Sequence, residues 1–159
     1  MPNEILTLAF DEARAALKEQ DATLNGLRNR ATGLLAAASV GTSFAASIGF
    51  LNADPGKGPA FPVWAGWSLL PLTVLIGAAV MAILWPTKDW SFGLTPQRIL
   101  DATDEDPDAV RRTATMAMIR AAEGNQKVIQ FRMRAYRGAV AVLLLETAVL
   151  VLALVIGRR

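Results

Sequence analysis

The stretch from residue 31 to residue 53, ATGLLAAASVGTSFAASIGFLNA, contains no charged residue. A helix rises about 1.5 Å per residue, so a helix of this length crosses a hydrocarbon layer of about 30 Å. An uncharged run of this length constrains the fold more than any other feature of the chain. It predicts a first transmembrane helix over residues 31–53.

Two four-residue series run along this predicted helix. Small residues form one series, and such a stripe lets membrane helices approach backbone to backbone. Its members are Gly33, Ala37, Gly41, Ala45 and Gly49. Serines form the other series, on the opposite side of the helix: Ser39, Ser43 and Ser47. Two interpretations of the serines stay open: hydroxyls bonded to backbone carbonyls one turn earlier, or a wetted surface lining a pore or a polar seam between helices.

Composition narrows the function classes. Apolar residues make up 53% of the chain and charged residues 19%, which is typical of apolar residues gathered into membrane spans. Without Cys or His, the chain has no disulfide, no thiolate nucleophile, no His-based triad and no ordinary zinc site. A net charge of +2 gives no argument for nucleic acid. We therefore expect a protein that is not an enzyme and needs no cofactor or metal.

Residues 1–30 have the pattern of an amphipathic helix that leads into the first span. Apolar or weakly polar residues recur at spacings of three and four, which is helical periodicity. They are Phe10, Ala13, Leu17, Gln20, Leu24, Leu27 and Ala31. Arg28 and Arg30 stand just before the span, and the positive-inside tendency places them in the cytoplasm.

A second uncharged run covers residues 61–87 and predicts a second transmembrane helix. Trp64 and Trp85 lie 21 positions apart. This corresponds to about 31 Å along a helix, the spacing of the two aromatic belts of a bilayer.

Residues 88–137 are predicted to form a cytoplasmic linker followed by a basic helix. Asp106 can cap this helix and Pro107 suits its first position. Its expected apolar seam alternates spacings of four and three. The seam comprises Val110, Ala114, Ala117, Ala121, Gly124, Val128, Phe131 and Ala135. The segment holds nine of the sixteen basic residues of the chain, whereas the loop 54–59 holds one, so the positive-inside tendency places it in the cytoplasm.

A third apolar run, residues 138–157, predicts a last transmembrane helix that continues from the basic helix. Glu146 interrupts it about 12 Å into the layer, where an ionised carboxylate is costly. Such an acid marks either a functional site or a packing contact with a hydroxyl on another span. The first span offers four hydroxyls: Ser39, Thr42, Ser43 and Ser47.

Four basic residues of the cytoplasmic helix are candidates for binding a phosphate-bearing ligand, because guanidinium groups match phosphate geometry. They are Arg111, Arg112, Arg120 and Lys127. The alternative is contact with lipid headgroups, which basic segments beside a membrane commonly make.

Two segments carry a resemblance to a known group of proteins: LRNRATGLLAAASV, with the Arg30–Ala31 entry to the first span, and AAEGNQKVIQFRMRAYRGAVAVLLLETAVLVLAL, with the approach from Asn125 and Lys127 to Arg137. In this arrangement the chain resembles the small membrane effectors of bacterial antiphage systems, namely Pycsar transmembrane effectors and SLATT-type effectors. The resemblance implies activation by a cyclic nucleotide or a sensor protein, oligomerisation, and injury to the inner membrane.

We therefore expect an all-α integral membrane protein with about three transmembrane helices and two cytoplasmic amphipathic helices, the second continuous with the last span. The expected function is an oligomeric inner-membrane effector, with a cytoplasmic amino terminus, that permeabilises the lipid bilayer on receiving a cytoplasmic signal. The alternative is a membrane subunit or scaffold that does not conduct and docks a cytoplasmic partner.

Overall fold

A computed structural model of the chain describes residues 2–51, 62–87, 90–101 and 106–156. Four helices occupy these residues: α1 Pro2–Leu51, α2 Val63–Leu84, α3 Pro96–Leu100 and α4 Pro107–Ile156. The all-α prediction is confirmed for the part of the chain that is described. The first amphipathic segment and the first predicted span form one uninterrupted helix, α1, and the basic helix and the third span form another, α4.

Helices α2 and α4 are long and apolar enough to cross a membrane. The mean hydropathy of their most apolar stretches is 2.2 for α2 and 2.8 for α4. Helix α2 lies within the second predicted span, 61–87, and ends at Leu84, three residues before the predicted end, while α4 contains the third predicted span as far as Ile156. The first predicted span lies on α1 as far as Leu51, and its residues 52 and 53 are outside the described residues, as are residues 1, 61, 88, 89, 102–105 and 157 of the other predicted segments.

The chain divides into two compact units. One, which we call the amphipathic unit, comprises Met1–Gly26 and Pro86–Phe131; the other, which we call the apolar unit, comprises Leu27–Trp85 and Arg132–Arg159. Helices α1 and α4 each contribute one segment to each unit.

The core of the amphipathic unit joins α1 to α4. Ala13 and Leu17 of α1 pack with Met118 and Ala121 of α4. These α1 residues belong to the predicted three-four stripe, as do Leu24, Leu27 and Ala31, which are also buried. The stripe is correctly predicted because it is a property of one helix face and needs no knowledge of the partner.

The predicted seam of α4 is wrong at two of its positions. Phe131 is 61% exposed and Gly124 is exposed, whereas the polar side chain of Asn125 is fully buried. The buried line within the amphipathic unit runs through Ala114, Met118, Ala121, Asn125 and Ile129. The seam is displaced because Asn125 has hydrogen-bond partners that an apolar pattern cannot reveal.

The core of the apolar unit is built by three helical segments. It contains Leu27, Ala31, Leu34 and Ala38 of α1, Ile76, Val80 and Ile83 of α2, and Ala139 of α4. The stripe of small residues is turned partly away from this core. Gly33 and Ala37 are exposed and Gly41 and Ala45 are half-buried, while for Gly49 only the backbone is described.

Candidate functional site

The candidate site belongs to the apolar unit and consists of one residue from each of its three long segments: a buried glutamate, a half-buried threonine on α2 and an exposed threonine on α1. Glu146 of α4 is only 2% exposed. Its Oε1 lies 2.9 Å from Thr73 Oγ1 of α2 and 3.3 Å from Thr42 Oγ1 of α1. The two hydroxyl oxygens are 3.5 Å apart. We call these three residues the threonine–glutamate cluster.

Helical periodicity explains why the three side chains meet. Thr42 follows the buried Ala38 by four residues, so it lies on the same face of α1. Thr73 precedes the buried Ile76 by three residues on α2, and Glu146 follows the buried Ala139 by two turns on α4. The packing faces of the three helices thus bring Thr42, Thr73 and Glu146 together.

The two threonine hydroxyls do not provide hydrogen bonds for both oxygens of the Glu146 carboxyl group. Thr42 Oγ1 lies 3.0 Å from its own Ala38 carbonyl oxygen, a closer acceptor than Glu146, and it carries one hydrogen. Thr73 remains the firm donor to Oε1. Glu146 Oε2 is buried without a hydrogen-bond partner among the described residues. A buried polar oxygen in this state is costly, and each such group needs a physical explanation.

The sequence named four hydroxyls as partners for Glu146, and the structure brings one of them, Thr42, to it. Ser39 donates to the Leu35 carbonyl at 2.9 Å and Ser47 to the Ser43 carbonyl at 2.8 Å. Of the two interpretations of the serines, these contacts match the one in which each hydroxyl bonds to a backbone carbonyl one turn earlier. Ser43 itself is exposed.

Thr73 was missed from the sequence, although a signal for it exists. It lies within one residue of the midpoint of the second predicted span, 61–87, while Thr42 is the midpoint of 31–53 and Glu146 is close to that of 138–157. Residues at the middle of antiparallel or parallel spans share one depth in a bilayer. Comparing the polar residues of the three predicted spans by their depth in the bilayer would have grouped Thr42, Thr73 and Glu146.

The four basic candidates lie in the amphipathic unit and are not gathered at one point. Arg111 donates from Nη1 to Thr7 Oγ1 at 3.0 Å. It lines a cavity of about 630 Å³ together with Glu4, Asp11 and Asp108, whose carboxylates oppose an added phosphate. Arg112 lines a second cavity with Asp106 and Asp108. Arg120 and Lys127 are exposed on α4.

Asn125 is a structural residue that sequence reasoning did not single out as a site. Its Nδ2 donates to the Ser91 carbonyl at 2.8 Å, and the Ser91 amide donates to its Oδ1 at 3.2 Å. This two-point contact fixes the connection after Trp90 to α4 and satisfies both polar atoms of a buried amide.

Arg132 of the apolar unit is 3% exposed and donates from Nη2 to the Trp85 carbonyl. Burial, together with the positive charge of Arg28, lowers the pKa of Arg132 from its ordinary value. An arginine remains charged at neutral pH even so. The contact holds a positive charge at the residue that follows the last residue of α2.

Within the described ranges, no three Asp or Glu side chains are grouped in a way that could hold a metal ion. No protein-family model, curated protein or solved structure gives a significant match to this chain.

Proposed function

We propose that this chain is an oligomeric protein of the bacterial inner membrane that permeabilises the bilayer when a cytoplasmic signal reaches it. The observation that carries the proposal is Glu146, a carboxyl group enclosed in the apolar unit. Acidic side chains within membrane segments are costly, so a membrane protein retains one chiefly where it works.

The surface of the apolar unit supports a membrane location. Trp67 and Leu70 of α2 are 75% and 65% exposed, and Leu144 of α4 is 67% exposed. Large apolar side chains exposed along two helices would associate in water, whereas lipid chains solvate them.

The core of the apolar unit supports a third span at residues 31–53, in addition to the two helices that length and hydropathy single out. Residues 31–51 of α1 carry no charge, and Ala31, Leu34 and Ala38 share one core with α2 and α4. A segment packed against two spanning helices is solvated best in the same hydrocarbon layer.

The signal is proposed to act on the cytoplasmic segments, whose basic residues set the orientation of the chain. A cyclic nucleotide or a sensor protein would meet the exposed cations of α4, namely Arg112, Arg120 and Lys127. Guanidinium and ammonium groups are suited to phosphates and to acidic protein surfaces.

Permeabilisation requires a rearrangement of the polar groups described above. Ser39 and Ser47 are bonded to their own helix, and Thr42 and Thr73 face Glu146. Opening would turn these groups toward water between copies of the chain. The outward part of the small-residue stripe offers a contact between copies, because no atom lies within 4 Å of a Cβ placed on Gly33.

A non-conducting subunit that docks a cytoplasmic partner is the second candidate. It is favoured by two exposed apolar residues on the amphipathic segment of α1, since Ile5 and Leu8 are 71% and 63% exposed. A partner that covered them would gain about 25 cal/mol of favourable free energy for each Å² of apolar surface that it removed from water.

Dye release separates the two candidates. The full chain is reconstituted in vesicles of bacterial lipids that contain a self-quenching dye, and a set of cyclic nucleotides is added. We expect release from wild-type vesicles, and slower release from Ser43→Leu, because a larger apolar side chain narrows or dries a path that passes this serine. Ala36→Leu, another exposed position of α1, is the matched control.

The same variants are expressed in bacterial cells, where uptake of an impermeant dye reports damage in the native setting. If wild type releases no dye in vesicles and admits none in cells, although it is inserted and folded, the permeabilising function is excluded. The docking subunit then replaces it.

A further inference from the structure

The threonine–glutamate cluster has a hydrogen count that distinguishes the two forms of its carboxyl group. An ionised carboxylate accepts hydrogen bonds at both oxygens and donates none. In the cluster it would receive one firm bond, from Thr73 at 2.9 Å, and Oε2 would be left bare. The apolar core around it offers no further donor among the described residues.

The acid form fits the same positions better. A proton on Oε1 can be donated to Thr42 Oγ1 at 3.3 Å, whose own hydrogen points to the Ala38 carbonyl at 3.0 Å. Thr73 still donates to Oε1. Only a carbonyl-type oxygen, Oε2, then lacks a partner, and an unpaired acceptor is more readily tolerated than an unpaired charge.

Among the described residues, no other charge on the neighbouring helices compensates the carboxylate. Helix α2 has no titratable residue, and α1 has none between Arg30 and its end at Leu51. On α4, Arg137 precedes Glu146 by nine residues, about 13 Å along the helix, and the other titratable groups of the apolar unit on that helix are Arg132, Arg134 and Tyr136.

An alkali cation is a poorer occupant than a proton. Hard cations are held by a shell of about six or more oxygen ligands. The cluster supplies one carboxyl and two hydroxyl groups, and Thr42 Oγ1 already takes part in a bond to its own helix. A proton needs a single acceptor, and Thr42 provides it.

We propose that Glu146, with Thr42 and Thr73, is a binding site for one exchangeable proton, occupied in the arrangement described. The orphan Oε2 is the position at which an entering water molecule can make its first hydrogen bond when the proton leaves. The site is the one on which the proposed function rests, but the inference also holds for a chain that never conducts.

Infrared difference spectroscopy tests the inference on the full chain in vesicles. The spectrum of Glu146→Gln is subtracted from that of wild type at neutral pH. We expect the carbonyl band of a protonated carboxyl group and a shift of that band in D₂O, because the proton exchanges.

Two controls make the assignment specific. Thr73→Val removes the donor to Oε1 and should shift the band, whereas Thr147→Val, whose hydroxyl is bonded to the Leu143 carbonyl, should leave it in place. If Glu146→Gln does not fold, glutamate labelled with ¹³C at its carboxyl carbon identifies the band in wild type. Every other glutamate in the described residues is exposed to solvent, unlike Glu146.

Carboxylate bands from Glu146 in wild type at neutral pH would overturn the inference. So would an acid band in choline chloride that sodium chloride replaces by carboxylate bands, because sodium would then be the occupant, and so would an acid band that does not shift in D₂O. A carbonyl band from protonated Glu146 without dye release would exclude the permeabilising function alone. Dye release with an ionised Glu146 would exclude the proton site alone.

Discussion

Gly93 shows how a single residue position can be fixed by both backbone and neighbour. Its φ of 94° lies in a region that L side chains rarely adopt. A Cβ at this position would lie 2.8 Å from Met118 Cγ and 3.3 Å from the Met118 backbone nitrogen. Glycine is therefore required where the connection after Trp90 passes α4.

Gly93→Ala is expected to lower the free energy of unfolding by about 2 kcal/mol, from backbone strain and the clash with Met118. The matched variant is Gly124→Ala on α4, where no atom lies within 4 Å of the added Cβ. Alanine should raise stability there by about 0.5–1 kcal/mol, since it favours the helix. Thermal unfolding in detergent, followed by circular dichroism, measures both, and shifts of equal sign would contradict the prediction.

Individual polar residues also mark the limit of sequence reasoning. Glu146 was recognised from its position in an apolar run, because an acid is conspicuous there. Thr73 and Asn125 were not, since a hydroxyl or an amide is common in helices. Their roles depend on partners 73 and 34 residues away in the chain. Such pairings follow from packing rather than from local pattern.

At the scale of the helix, α1 and α4 differ in how far their packing faces could be predicted. The stripe of α1 is apolar from Ala13 to Ala31 except at Gln20, and periodicity located it. The packing face of α4 includes Asn125 and Arg132, which bond to Ser91 and Trp85. An apolar pattern excludes such residues by construction, so the predicted seam was displaced toward Phe131.

Two substitutions on α1 separate its inner and outer faces. Ala31→Leu adds volume to a core position with no exposed surface and should destabilise the protomer by about 1–3 kcal/mol. Gly33→Leu adds the same side chain on the exposed side, so it should not destabilise the protomer, and it should reduce the oligomer mass if copies meet along the small-residue stripe.

Light scattering in detergent and thermal unfolding are measured for both variants of α1. An unfolded Gly33→Leu protomer would show that the stripe packs within one chain. An unchanged oligomer mass, with normal stability, would show that copies associate through another surface.

At the scale of the whole molecule, the distribution of basic residues predicts the orientation of the chain. The chain has no cysteine, so single-cysteine variants report accessibility without background. We expect Gly56→Cys to react with a membrane-impermeant maleimide in intact cells, because the positive-inside tendency predicts that the segment 54–59, with its single basic residue, lies outside. Glu123→Cys, an exposed position of α4, should react only after lysis.

Labelling of Glu123→Cys in intact cells, with Gly56→Cys protected, would reverse the orientation. The candidate ligand residues Arg111, Arg112, Arg120 and Lys127 would then face away from any cytoplasmic signal. Thr113→Cys, at another exposed position of α4, provides a second test of which side of the membrane this part of the helix faces.

The threonine–glutamate cluster has a consequence for biosynthesis. A carboxyl group at the centre of a membrane segment costs about 2.5–3.5 kcal/mol during insertion. Both of its hydroxyl partners, Thr42 and Thr73, precede it in the chain and are synthesised first. In the proposed membrane setting, α1 and α2 are thus already inserted when α4 enters the bilayer, and they supply hydrogen-bond partners for Glu146. In a chain without Thr42 and Thr73, α4 would enter the bilayer with no hydroxyl partner for its carboxyl group.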